Sequence, residues 1–299
     1  MRVKIRTFIL IISIIIAVIA ISNNISKFTT NASMESLIKA PVSQKTESYK
    51  LTNDNTEVSE SSNESNKSTS SNLLEQAYYD YEGTIDKQIN IHMSIYAKDG
   101  KVTGTYFYDR YGEEISVTGK TDWRAITLTE YDKSGRKTGT FEGILDNNDK
   151  IQGNWKDSSG KNTYPFYLEL KDIVYGNEQS RYSAATKNKS DSEVESFVSN
   201  IKAYINSSDA NHLADNICYP IVIYNHQERI TINNKTEFMR RYNDIFSNEY
   251  KDAINKTFAK FMFANSKGIM FGSSYYNMWI NDIKNPDGSY QLKITTIND

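Results

Sequence analysis

Residues 89–95 read Ile89-Asn90-Ile91-His92-Met93-Ser94-Ile95, with an apolar side chain at every odd position and a polar one at every even position. Side chains along an extended strand leave alternately to opposite faces, so this stretch offers one face to a core and the other to solvent. Moving outward from it, turn signals recur at short intervals: Asp99-Gly100, Tyr111-Gly112, Ser134-Gly135, Asn147-Asn148 and Ser159-Gly160. Such pairs tolerate the positive backbone φ that tight hairpins require. They divide the segment from Glu82 to Lys171 into about eight short strands, an antiparallel meander.

The inward register of this meander repeatedly carries glycine, in Val102-x-Gly104-x-Tyr106, Ile115-x-Val117-x-Gly119, Gly139-x-Phe141-x-Gly143 and Ile151-x-Gly153-x-Trp155. Glycine on the apolar face leaves room where a sheet curves onto itself and lets an aromatic of the next strand lie over bare backbone. About eight strands with an apolar inner face predict a small up-and-down barrel or half-barrel over residues 77–175. Glu130 continues the inward register of Ile126 and Leu128, so its carboxylate points into the barrel, where burial raises a carboxyl pKa unless something hydrogen-bonds it. With Tyr106 and Trp155 it makes the barrel's candidate ligand-binding set.

Residues 176–189 show no apolar periodicity and read as a linker. Beyond them the period changes to that of helices. Ser190 or Ser192 can cap a helix with Glu193 or Glu195, and Val194, Phe197, Val198, Ile201 and Ile205 follow. Asp209 can cap a short second helix. Two strands follow, 219–224 and 227–232, then a long helix over 236–256 with Phe238, Tyr242, Ile245, Phe246, Tyr250 and Ile254 on one face. Three strands, 258–264, 269–280 and 290–297, end the chain, with Asn285-Pro286-Asp287-Gly288 as the last turn.

The order and landmarks of residues 190–299 resemble the nuclear transport factor 2-like (cystatin-like cone) superfamily. The residues that carry the resemblance are Tyr219-Pro220-Ile221, Ile232-Asn233-Asn234 before Glu237-Phe238 and Tyr242, Lys267-Gly268-Ile269-Met270, Phe271-Gly272, Trp279 and Ile297-Asn298. Ser274 stands where the pattern has a second glycine. The resemblance implies an α+β fold, a bent antiparallel sheet wrapped on three helices into a cone. It does not select a function, because that fold hosts both enzymes and binding modules. The meander is similar to lipocalin-like barrels in strand count only.

Ahead of the meander, Arg2, Lys4 and Arg6 precede an apolar run from Phe8 to Ile21, broken only by Ser13. At roughly 14 residues the run suits a signal peptide, whose apolar region is about 7 to 15 long, better than a membrane span of about 20. Residues 1–22 are thus expected to be a signal peptide or a short anchor in the cytoplasmic membrane. Residues 23–76, rich in Ser, Asn and Thr, read as a disordered tether. A single cysteine, Cys218, excludes an internal disulfide, and the lack of a cysteine near residue 20 excludes a lipid-bearing thiol. Abundant Lys, Asn, Ile and Tyr suit an AT-rich genome, so the location expected is the extracytoplasmic side of a Gram-positive bacterium.

The 299 residues carry a formal charge of −2, and three of the 35 basic residues lie in the leader, so the remainder is more acidic still. That balance argues against a nucleic-acid partner. No phosphate loop, dinucleotide fingerprint, nucleophile elbow or zinc spacing is present, and neither cofactor nor metal is expected. Of the three histidines, His226 with Glu228 at the rim of the expected cone is the weak candidate for an acid–base pair; His92 reads as solvated and His212 as a partner of Asp209 or Asp215. Tyr275 and Trp279 join Glu130, Tyr106 and Trp155 as candidate binding residues, since tyrosine and tryptophan present broad faces with a polar edge. The reading is an exported envelope-associated accessory protein without catalysis that recognises a small ligand, a cell-wall glycan or a protein. A hydrolase or isomerase working in the cone is the alternative. Pairing of two cones through Tyr275 and Trp279 makes a homodimer conceivable.

Overall fold

The computed structural model describes residue 74 and residues 76–299 apart from 123, 226, 227 and 274. The expected leader (1–22), nearly all of the expected tether (23–76), Trp123, His226 and Ser274 lie outside the described residues. Among the described residues no helix is long and apolar enough to cross a membrane.

Eight antiparallel strands, β1 (Tyr78–Ile85), β2 (Ile89–Lys98), β3 (Lys101–Tyr108), β4 (Ile115–Thr121), β5 (Ala125–Tyr131), β6 (Lys137–Asp146), β7 (Lys150–Asp157) and β8 (Thr163–Val174), form a closed barrel in sequential order. Closure comes from β1 pairing with β8, Tyr81 opposite Leu170 and Ile85 opposite Phe166. The hairpins are local: Asp99 and Gly100 (φ 51° and 73°) and Asn147 and Asn148 (φ 47° and 67°) take the left-handed conformation at the tips of β2–β3 and β6–β7. A third tip, Asp86-Lys87, does the same without a glycine or asparagine to announce it. Ile91, Met93, Ile95, Val102, Tyr106, Val117, Leu128, Phe141, Ile151 and Leu168 are buried within the barrel cluster.

Glycine permits the curvature. A Cβ built on Gly119 would stand 1.8 Å from the carbonyl oxygen of Thr127, so the β4–β5 backbones approach too closely there for any side chain. At Gly139 the obstacle is the Trp155 indole, with Nε1 at 2.7 Å and Cε2 and Cζ2 at 2.9 Å, which puts that ring directly over bare backbone.

The remaining chain holds α1 (Asp191–Asn206), α2 (Ala210–Asp215), β9 (Ile217–Asn225), β10 (Glu228–Ile232), α3 (Lys235–Ile245), α4 (Asn248–Lys256), β11 (Ala264–Asn265), β12 (Gly268–Ser273), β13 (Tyr276–Lys284) and β14 (Tyr290–Asn298). The capping box at the start of α1 joins Ser190 to Glu193, and Asp209 caps α2. The sheet runs β10-β9-β14-β13-β12-β11, and its buried face packs Phe271, Met278, Ile280, Ile294 and Ile297 in one cluster with Val198 and Ile201 of α1 and Phe238 of α3.

This corrects the expected α+β fold and its cone of an antiparallel sheet on three helices. The described residues are mainly β and hold four helices. The long helix expected over 236–256 is two, because Phe246 leaves the helical conformation and the Ser247 side chain accepts from the Tyr250 N–H to start α4. The strand expected over 269–280 is the hairpin β12–β13, and the sheet is mixed, since β14 runs parallel to β9. The inward parity shows the cause: Ile269 and Phe271 are buried at odd positions, Met278 and Ile280 at even ones, which a single regular strand cannot provide.

Candidate functional site

One end of the barrel gathers side chains from four strands around a single carboxylate. Glu130 stands where the β5–β6 register shifts, between its own pairing with Gly139 and that of Tyr131 with Lys137. Such an irregularity inserts a residue and re-aims side chains; the extra residue here is Thr138. Glu130 is 6% exposed. Its Oε2 accepts from the Tyr106 hydroxyl at 2.7 Å and from Trp155 Nε1 at 2.8 Å, and its Oε1 accepts from Thr138 Oγ1 at 2.6 Å. The Tyr108 hydroxyl lies 3.1 Å from that of Tyr106 and extends the network one residue further.

Burial, with the nearby Tyr108 and the Glu130 charge, pushes the Tyr106 hydroxyl well above the ordinary phenol range, so it stays a donor. The Tyr108 hydroxyl is raised in the same way, by burial first and the Glu130 charge second. A carboxylate offers about four acceptor positions, and three are filled by neutral donors. No cationic side chain is ion-paired with Glu130 among the described residues. Linked to this network are the half-buried rings of Tyr108, Trp155 and Tyr164 and the exposed ring of Tyr111. Trp155 and Tyr164 lie nearly parallel with centroids 6.1 Å apart, and Tyr111 meets Tyr108 edge-on at 6.5 Å.

The structure thus brings Glu130, Tyr106 and Trp155 together. Tyr275 and Trp279 stand apart from them: Tyr275 is 82% exposed in the β12–β13 turn, and Trp279 is half-buried on β13 against Phe263. Glu228 begins the edge strand β10 and is exposed, while His226 falls outside the described residues. His212 Nδ1 lies 2.6 Å from Asp209 Oδ2, and its ring stacks on Tyr204. His92 is not simply solvated. It lies between Phe107 and Phe258, with Glu82 3.3 Å from Nδ1 and Asp109 2.8 Å from Nε2. Among the described residues no group of three or more His, Cys, Asp or Glu side chains could hold a metal.

A second polar centre lies outside every site expected from the sequence. The stretch read as a linker buries Arg181, whose guanidinium donates to Asp80 of β1 (Nη1 to Oδ1 2.9 Å, and Nη2 to Oδ2), to Ser94 of β2 at 3.0 Å and to the Met262 carbonyl. Next to it the Tyr182 hydroxyl donates to Glu195 of α1 at 3.2 Å and accepts the Met262 N–H at 3.3 Å. Glu195 is pushed up to about 7, by burial first and then by Glu114. Glu114, before β4, is ion-paired with Lys260. The one mark it leaves in the sequence is Asp80, a charge within the aromatic run Tyr78-Tyr79-Asp80-Tyr81.

No protein-family model, characterised protein or solved structure matches this chain. The fold and site define a closed eight-stranded antiparallel barrel followed by a mixed sheet with helices, with a carboxylate hydrogen-bonded among aromatic side chains at one barrel end.

Proposed function

We propose that this chain is an accessory binding protein of the bacterial cell envelope, without catalysis, that takes a small ligand at the aromatic end of its barrel. The observation that carries the reading is Glu130, buried without a counter-ion among the described residues and held by three donors from three different strands. A buried charge lowers stability unless something compensates it, whereas an apolar residue in its place would not. A carboxylate near the end of β5, bonded to Trp155 and linked through Tyr106 to the half-buried Tyr108, suits a recognition site better than one in the middle of the barrel would. The leader, as read from residues 1–22, supports the envelope location. The catalytic alternative draws no support from Glu228, which is exposed on an edge strand.

Native mass spectrometry of the full-length protein, released from mild detergent, tests the proposal. A small molecule that co-purifies, leaves on unfolding and is missing from Glu130→Gln is the expected result. A ligand retained equally by wild type and Glu130→Gln overturns the assignment of this site.

A further inference from the structure

The charge balance of this site names the class of ligand, an inference that rests on the barrel end being a binding site at all. Tyr106, Trp155 and Thr138 donate to the Glu130 carboxylate, and all three are neutral, so none of them supplies a balancing charge, and they account for three of its about four acceptor positions. Hydrogen bonds from an indole N–H and a phenol O–H to an anion also push electron density into those rings, which strengthens the attraction of their faces for a cation. Nearby, the Arg110 guanidinium carbon lies 5.8 Å from the centroid of the adjoining Tyr111 ring, itself edge-on to Tyr108. A neutral sugar would call for several converging hydrogen-bonding groups and would draw nothing from the net charge. A metal ion would call for several anionic or imidazole ligands, and among the described residues no group of three or more His, Cys, Asp or Glu side chains includes Glu130.

We propose that the barrel end binds a small organic ammonium ion, protonated or quaternary, with its charge facing Glu130 and its carbon groups against Tyr108, Trp155 and Tyr164.

The test is titration calorimetry of the full-length protein with choline and butylammonium, each beside a neutral counterpart, 3,3-dimethylbutan-1-ol and pentan-1-ol. Trp155 emission is followed in a Trp123→Phe, Trp279→Phe background. At least one ammonium ion is expected to bind tenfold or more tightly than its counterpart and to change Trp155 emission. Glu130→Gln should abolish that preference while leaving the neutral compounds unaffected. Should Glu130→Gln fail to fold, Tyr164→Leu, which leaves the carboxylate and its three donors in place, should weaken ammonium binding several-fold. Equal binding of charged and neutral compounds overturns the ammonium assignment but leaves a ligand site at the barrel end. Absence of binding by both ammonium ions also overturns it, and the native mass measurement then decides separately whether the site holds any ligand. Ammonium binding unchanged in both Glu130→Gln and Tyr164→Leu places the cation elsewhere and overturns it as well.

Discussion

At the scale of single residues, the barrel end depends on hydrogen bonds that have no substitute nearby. Removing the Tyr106 hydroxyl leaves Glu130 with two donors and deprives the Tyr108 hydroxyl of its neighbour. Tyr106→Phe should therefore lower stability by about 1–3 kcal/mol while keeping the side-chain volume, a loss readable in urea unfolding. Gly139→Ala acts through shape instead. Its new Cβ would meet the indole of Trp155 at 2.7–2.9 Å, so the ring must leave its bond to Glu130, and the Trp155 emission should shift to longer wavelength. Glu130, Tyr106 and Trp155 were legible as inward positions because strand alternation is a local property. Thr138 was not, because it reaches Glu130 only through an irregular pairing that no local pattern marks.

At the scale of elements, caps and turns account for most of what was readable. Of the two capping pairs the spacing allowed, from Ser190 or from Ser192, the Ser190–Glu193 box starts α1. Ser190→Ala should cost about 1 kcal/mol, measurable as a lower Tm. The break between α3 and α4 was hidden because Phe238, Tyr242, Ile245, Phe246, Tyr250 and Ile254 keep helical spacing straight across it. Only the Ser247 cap and the conformation of Phe246 reveal it. The β12–β13 hairpin was hidden differently: its parity change is present in the sequence but is readable only once the buried face is known. The expected strand over 258–264 shrinks to Ala264–Asn265, since Phe258 and Phe261 leave the sheet to pack on Phe107 of the barrel.

At the scale of the whole molecule, the barrel and the mixed sheet meet through buried charge. Arg181 and Asp80 are 2% and 6% exposed, and each satisfies the other. Asp80→Asn strands the guanidinium in that seam and should cost roughly 3–5 kcal/mol, the range for breaking one partner of a buried pair. Glu195 gives the same seam a dependence on pH. Its folded pKa, about 7, lies above its ordinary value, so the folded state holds a proton that the unfolded chain has released. The stability this contributes is complete below about pH 4.5 and is lost as pH rises through 7, with a slope of up to about 1.4 kcal/mol per pH unit between those limits. Glu114, Asp191, Lys260 and Tyr182 face this carboxyl, and Glu195→Gln should flatten Tm across that interval; an unchanged slope would assign it to another group.

The sequence by itself determined that about eight strands follow one another, the hairpins marked by Gly or Asn, the inward register of Glu130, Tyr106 and Trp155, and the cap of α2. Each of these follows from side-chain alternation, turn chemistry or capping within a few residues. Only the tertiary structure decided the rest: closure of β1 on β8, the parallel pairing of β14 with β9, the convergence of three donors on Glu130, and the burial of Arg181 against an aspartate 101 residues away. Those contacts depend on which distant segments share one interior, and neighbouring residues carry no record of that.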